Sequence, residues 1–172
     1  MFREYYKDDF DELLRLRCLL FFDHTAKKLH EELTDNLQGD KYYDLWTMFV
    51  YQRENGDLGG FVEIGFINAQ SYDRLENFNG TVYFEQIQEF ISLNRPIPVV
   101  ESWYVDEDLR GKRIGFGLML QAELWVKNNG CPFILSDTDD FRDVSIKAHK
   151  SFGYDNYNID ENGCCLFYKQ IV

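Results

Sequence analysis

Between Pro98 and Val126 the chain reads as a strand, a short charged turn and a helix, and this unit limits what the rest can build. Pro98 to Val105 (PVVESWYV) is an apolar, β-branched and aromatic run behind a proline and ahead of an acidic turn, the pattern of a buried strand. From Ile114 onward apolar residues recur at 114, 118, 122, 125 and 126, the spacing of one helix face. The junction Val105-Asp106-Glu107-Asp108-Leu109-Arg110-Gly111-Lys112-Arg113-Ile114-Gly115 therefore aims unpaired backbone N–H groups, with Arg110, Lys112 and Arg113, at one place in front of a helix N-terminus. Such a place favours an anion. On spacing alone, an ordinary α/β connection explains the run equally well. Gly-x-x-x-x-Gly-Lys-Ser/Thr is missing, and no Gly-x-Gly-x-x-Gly follows a strand, which sets aside the usual nucleoside triphosphate and dinucleotide loops.

The run VDEDLRGKRIG resembles the pyrophosphate loop of the GCN5-related N-acetyltransferases (GNAT), whose pattern is Arg/Gln-x-x-Gly-x-Gly/Ala after a strand ending in Val. Arg110 and Gly115 match its two ends. Arg113 stands where the family has its middle Gly, so a side chain occupies the place where backbone approaches the cofactor; pointing outward, it could add a phosphate contact. Downstream, SWYVDEDLRGKRIGFGLMLQAELWVKNNGCPFILSD, then Ser145, His149 and Ser151-Phe152-Gly153-Tyr154, resembles one group of aminoglycoside 6'-N-acetyltransferases. The resemblance is good over 97–172, weaker over 8–68 and absent over 69–96, which reads as an insertion. It implies acetyl-coenzyme A as co-substrate, held by Arg110, Gly111, Lys112, Arg113, Ile114, Gly115 and Ser145, with Tyr104 and Val105 offering backbone groups to the pantetheine arm and no metal. Ser145 matches the group; Arg142, where the group has Asn, does not.

One domain, 1–172, is expected, long enough to enclose a core without metal or disulfide support. With 45% hydrophobic and 17% aromatic residues the chain is globular rather than disordered. Thirty acids against 18 bases give a net charge of −12, a field that repels nucleic acid and attracts cations. Acidity alone is explained by solubility; beside an acetyltransferase loop it points to a small cationic amine as partner. Cys18, Cys131, Cys164 and Cys165 show no metal spacing, and an adjacent pair seldom forms a disulfide, so reduced thiols in a cytoplasm are expected. The charged start MFREYYKDDFDE is no signal peptide, and no apolar stretch is long enough to span a membrane.

In chain order, Asp8 to Phe22 and Asp23 to Leu37 read as amphipathic helices, the second stopped by Gly39. Tyr43 to Arg53 and Leu58 to Ile67 read as strands joined at Asn55-Gly56, since Asn-Gly accepts positive φ. Glu63, the one charge in its apolar run, reads as an outward-facing strand residue; related enzymes have a Glu here that faces the acceptor, which makes it a substrate-binding candidate by resemblance. Residues 68–95 combine aromatics with acids, and Phe84 to Leu93 has helical spacing. This segment could be an acidic, aromatic flap over a cationic ring substrate, with Tyr72 among its contacts, or the contact of a homodimer. Cys131 to Asp137 reads as a strand, Val144 to Phe152 as a helix, and Asp155 to Ile171 as a hairpin around Glu161-Asn162-Gly163. The fold class is α/β (α+β): a GNAT-like mixed, mostly antiparallel sheet with helices on both faces.

Acetyl transfer from a thioester to an amine requires a neutral amine, a stabilised oxyanion and a proton for the departing thiolate. Glu101 is the leading base, because a charge inside a buried strand is expensive unless it is used. Asp137 ends the next strand and is assigned acceptor-amine binding, with a share in proton removal. His149 stands where the wider superfamily has a tyrosine that protonates the thiolate, and its pKa range suits that work. A lone helical His and a strand-end Asp also have ordinary structural uses. The function expected is an acetyl-coenzyme A dependent N-acetyltransferase acting on a small polycation, foremost an aminoglycoside at its 6'-amine. The alternatives are another acceptor, such as a polyamine or peptide amine, and a non-catalytic acyl-coenzyme A binding module.

Overall fold

The computed structural model describes residues 1–38, 43–68, 82–139, 142–159 and 163–171. Leu58–Ile67 (β3) has all ten residues buried, as a strand with neighbours on both edges and helices on both faces must. On one side of it lie Tyr43–Gln52 (β2) and the short Phe2–Glu4 (β1). On the other lie Ile97–Val105 (β4), Phe133–Asp139 (β5), Cys164–Gln170 (β7) and Asp155–Ile159 (β6), giving one seven-stranded sheet of order β1-β2-β3-β4-β5-β7-β6. Its strand pairs are antiparallel except β4–β5. The mixed, mostly antiparallel sheet expected from the sequence is the one observed.

The parallel pair decides where a ligand can enter. Its register covers only Val99↔Leu135 and Val100↔Ser136. Beyond that point β4 stays paired with β3 through Val105, and β5 stays paired with β7 through Asp139. The two strands therefore part like a fork. Part of the cause is a β-bulge: Glu63 faces Ser102 and Ile64 faces Val100, which leaves Glu101 as the extra residue on β4. A bulge bends its strand and increases local twist.

Helices cover both faces. Phe10–Leu20 (α1) and Ala26–Gln38 (α2) bury Leu13, Leu16 and Leu33 against Met48, Val50 and Phe61. Ile114–Asn128 (α4) buries Leu118, Met119, Ala122 and Val126 in a second core with Val62, Ile64, Val99 and Leu135. Phe61 and its neighbour Val62 thus serve opposite faces, as the period of two requires. At about 1.5–3 kcal/mol for each large apolar side chain removed from water, these stripes hold the helices to the sheet.

Several boundaries differ from the sequence reading. α1 begins only at Phe10, because Asp9 closes a 3-10 turn (Lys7–Asp9), accepting the Tyr6 N–H at 2.8 Å and pairing with Arg3 at 2.7 and 2.8 Å. α2 starts at Ala26, with Thr25 Oγ1 accepting the Lys28 N–H at 3.2 Å, so Asp23 and His24 belong to a turn rather than to a helix. β5 runs to Asp139, since β7 pairs with it that far. In the insertion, Phe84–Ser92 (α3) forms as expected, but its apolar face is sunk into the second core: Phe90 meets Phe133 edge-on at 4.9 Å, and Tyr83 beside it stacks on Tyr168 at 3.8 Å. The described part of this segment packs on the sheet and is no flap over the fork. Tyr72, Gly39 and the tip of the last hairpin lie outside the described residues. Among the described residues no helix is long and apolar enough to cross a membrane.

Candidate active site

A cleft of about 1180 Å³ opens at the fork. Its walls are the diverging ends of β4 and β5, the turn between α1 and α2, the loop before α4, and Asp143–Ser151 (α5). Glu101 and Asp137 are the first residues beyond the last β4–β5 pair, and both line the cleft. Their convergence is what the sequence predicted. The reason given for Glu101 needs correction: its side chain is exposed, because the bulge turns it out of the strand's buried row. No burial cost therefore singles it out. Asp137 does not end β5, and Asp139 two residues on lines the cleft as well, held by Arg142 Nε at 2.9 Å.

The other end of the cleft is cationic. α4 begins at Ile114 without a side-chain cap, so the first-turn N–H groups have no partner from the helix itself. Arg113, at the N-cap, adopts φ +62°, and Gly111 adopts φ +76°. The backbone here thus takes a left-handed bend that glycine adopts freely, and Arg113 tolerates it at a cost of about 1–2 kcal/mol. Gly115 fits because a methyl at its Cα would stand 3.0 Å from the Trp103 ring. Arg110 folds back, its Nε donating to the Val105 carbonyl at 3.1 Å, so that carbonyl is already engaged. Arg110, Gly111, Arg113, Ile114, Gly115, Tyr104, Val105 and Ser145 all line the cleft; Lys112 is exposed and is not among its lining residues.

His149 also reaches the cleft but is only 3% exposed. Its Nε2 lies 2.9 Å from Ser136 Oγ and its Nδ1 lies 2.8 Å from the Ser145 carbonyl. Burial pushes its pKa below the ordinary value, a shift the hydrogen bond to Ser145 opposes in part.

Glu63 is not outward-facing, and it is not among the residues lining the cleft. It is buried on the α1–α2 side, ion-paired through Oε2 with Arg17 Nη1, while Oε1 accepts from Asn36 Nδ2 at 2.8 Å and Trp46 Nε1 at 3.1 Å. Its carboxylate is taken up by the protein, which corrects its assignment as a substrate contact. Among the cleft residues to which the sequence reading gave no role are Ser136, Trp103 and Arg142. For Ser136 a signal existed, a hydroxyl inside the apolar run CPFILSD.

Residues 10–154 match the model of the acetyltransferase (GNAT) family. The chain belongs to this family. It is similar to an aminoglycoside N(6')-acetyltransferase type 1 of Klebsiella aerogenes, 27% identical over 141 residues that cover 82% of this chain and 80% of the relative. A second, from Stenotrophomonas maltophilia, is 25% identical over 126 residues, covering 73% and 67%. Among solved structures, AAC(6')-Iy in complex with the bisubstrate analogue CoA-S-monomethyl-acetylneamine superposes with a TM-score of 0.69 at 20% identity, over 92% of each chain. AAC(6')-Ih from Acinetobacter baumannii does so with a TM-score of 0.67 at 22% identity, again over 92% of each. At these identities the structures carry the fold.

The GNAT chain is thus an acetyl-coenzyme A dependent N-acetyltransferase, which leaves the non-catalytic module without support. Its residues fit that co-substrate. The uncapped start of α4, with Arg110 and Arg113, suits a diphosphate. The β4 edge left unpaired beyond Val100 suits the amides of a pantetheine arm. Trp103 Nε1, a buried donor with no partner among the described residues, waits in the same cleft.

Proposed function

We propose that this acetyltransferase acetylates the 6'-amine of an aminoglycoside in the cytoplasm. The observation that carries the reading is the set of charges lining one cleft: Arg110, Arg113 and helix N–H groups at the start of α4, and five carboxylates, Glu101, Asp137, Asp139, Asp23 and Asp143, on its other walls, where Arg142 offsets Asp139. Carboxylates in such number favour an acceptor with several ammonium groups over a neutral one. The named relatives act on aminoglycosides, which supports the same class here.

In this reading Arg110, Arg113 and the first turn of α4 hold the diphosphate, and the fork seats the thioester between β4 and β5. Acetyl-coenzyme A supplies the acyl group and its thiol leaving group. Glu101 takes the ammonium proton, directly or through water, and makes the amine nucleophilic. Asp137 binds the amine and shares in that step. His149 stands on the side where sulfur departs. Acetylation removes one positive charge and so weakens an antibiotic's grip on RNA phosphates.

A panel of amines in a thiol-release assay tests the substrate. Turnover with 6'-amino aminoglycosides, at kcat/KM far above linear polyamines and peptide amines, is the expected result. Preference for either of the latter overturns the aminoglycoside assignment and leaves the acetyltransferase standing.

A further inference from the structure

Where β4 and β5 part, a buried hydroxyl faces a buried imidazole. Ser136 is the last β5 residue still paired with β4 and is 1% exposed, and its Oγ lies 2.9 Å from His149 Nε2. On the far side of the ring Nδ1 meets the Ser145 carbonyl at 2.8 Å. A carbonyl only accepts, so Nδ1 carries a proton. In the neutral ring Nε2 is then a bare acceptor, and the Ser136 hydroxyl donates to it. The ring is held in this orientation, stacked on Phe167 with centroids 4.4 Å apart and edge-on to Trp103 and Tyr154 at 5.4 Å each. Both nitrogens are engaged inside the protein, so the polar route from Nε2 runs through Ser136 Oγ.

We infer that Ser136 Oγ–H hands the departing sulfur its proton, with His149 Nε2 behind it as the second member of a two-residue shuttle. The inference rests on the reading of the fork as the place of acetyl transfer. Proton balance requires such a route. An ammonium group that becomes an amide loses two protons; one ends in solvent and one on sulfur. Glu101 or Asp137 takes the first. As the C–N bond forms, Ser136 Oγ accepts the second and passes its own proton to His149 Nε2. The imidazolium then donates from both nitrogens, to Ser136 and to the Ser145 carbonyl. As the C–S bond breaks and sulfur keeps the electron pair, Ser136 gives its proton to sulfur and His149 refills the hydroxyl. Ser136 ends as a hydroxyl and His149 ends neutral, with no other reactant consumed.

The surroundings suit a carrier that holds a proton only briefly. Phe167, Trp103, Ser136 and Ser145 carry no charge, and Tyr154 is kept protonated because burial pushes its pKa well up. The Glu123–Lys169 pair lies beyond Tyr154 and is self-compensating. Desolvation therefore favours the neutral ring at rest.

Single-turnover thiol release with acetyl-coenzyme A and a 6'-amino aminoglycoside, in mixtures of light and heavy water, tests this. Wild type should show a curved proton inventory, the mark of more than one proton in flight. Ser136→Ala should slow the step about 10²-fold, straighten the inventory and keep the coenzyme A affinity measured by calorimetry. Ser136→Thr, which keeps a hydroxyl, should recover most of the rate. Ser136→Ala with His149→Gln should be no slower than the slower single variant, because the two act as one unit. Unchanged rate in Ser136→Ala overturns the shuttle alone, as do multiplying losses in the double variant. Should the alanine variant fail to fold, a linear inventory in wild type overturns it. Thiol release with another amine in place of the aminoglycosides overturns the substrate reading alone, and the same variants then decide the shuttle with that amine; release with no amine overturns the fork as the place of transfer and the shuttle with it.

Discussion

Arg53 holds Asp108 with both terminal nitrogens, Nη1 at 2.7 Å and Nη2 at 2.8 Å, and its Nη2 also reaches Asp106 Oδ2 at 2.8 Å. Arg53 follows β2 at the hairpin, and the two aspartates open the turn that leads to the α4 N-terminus. One guanidinium thus fastens the hairpin to the loop that the proposed function assigns to the diphosphate, a geometry that bidentate pairing specifies well. Replacing Arg53 by Met should keep the fold and weaken coenzyme A binding about tenfold, through a loop no longer held in place. Titration calorimetry checks this, and equal affinity would show that the loop keeps its shape unaided.

Arg113→Gly separates the backbone of this loop from its charge. Glycine takes φ +62° freely, so thermal stability should stay within about 1 kcal/mol of wild type. Coenzyme A affinity should fall no more than about tenfold, and its dependence on salt should become shallower as one cation is lost. A collapse of binding would mean that the guanidinium, rather than the bend, carries the site.

Glu101→Gln and Asp137→Asn should each lower kcat by about two orders of magnitude while coenzyme A affinity is kept. The isosteric amides keep the shape and remove the proton acceptor. Unchanged kcat in both variants would remove these carboxylates from the mechanism.

Glu63→Ala and Arg17→Ala should act on folding. Glu63→Ala leaves the buried Arg17 with only the longer pair to Glu32 at 3.4 Å, and Arg17→Ala leaves the buried Glu63 with neutral donors alone, so each should cost up to about 3–5 kcal/mol. Chemical denaturation measures the loss. For any variant that stays folded, the acceptor KM should be close to wild type; a large rise in KM without loss of stability would restore Glu63 as a substrate contact.

His149 also sets a pH dependence of stability. Its pKa is lowered in the folded protein, so its contribution is complete above the ordinary value of about 6.5 and is lost as pH falls through the lower native value. In that window the unfolded chain binds more protons than the native one, and stability rises with pH. Asp9, lowered by its bonds with Arg3, follows the same sign in a more acidic window, below about 3.9. Urea unfolding from pH 7.5 down to 5 should show wild type losing stability while His149→Gln stays flat. Parallel slopes for the two would place the acid sensitivity elsewhere.

Much of the architecture is legible wherever a local pattern suffices. The apolar run 58–67 has the bounds of β3, Asn55-Gly56 supplies the turn where Gly56 takes φ +99°, and the four-residue spacing of Leu118, Ala122 and Val126 matches the buried face of α4. β1 was not legible: FRE is three residues of no apolar pattern, and it becomes a strand because β2 offers Phe49 to Tyr51 as partners. Spacing and charge marked the basic turn from Arg110 to Gly115, while its assignment to a cofactor came from the family resemblance. From sequence Ser136 received no role, since its meaning depends on a histidine thirteen residues away.

What the amino-acid order settles by itself, then, is the longer elements, the acidic field and the basic loop before a helix, because periodicity, turn chemistry and charge act over a few neighbouring residues. Tertiary structure alone decides the rest. It makes Glu101 the bulged residue, parts β4 from β5 after two residue pairs, sinks Glu63 against Arg17 and sets Ser136 on His149. Each of these is a contact between segments far apart in the chain, and strand register and packing, rather than local preference, bring such segments together.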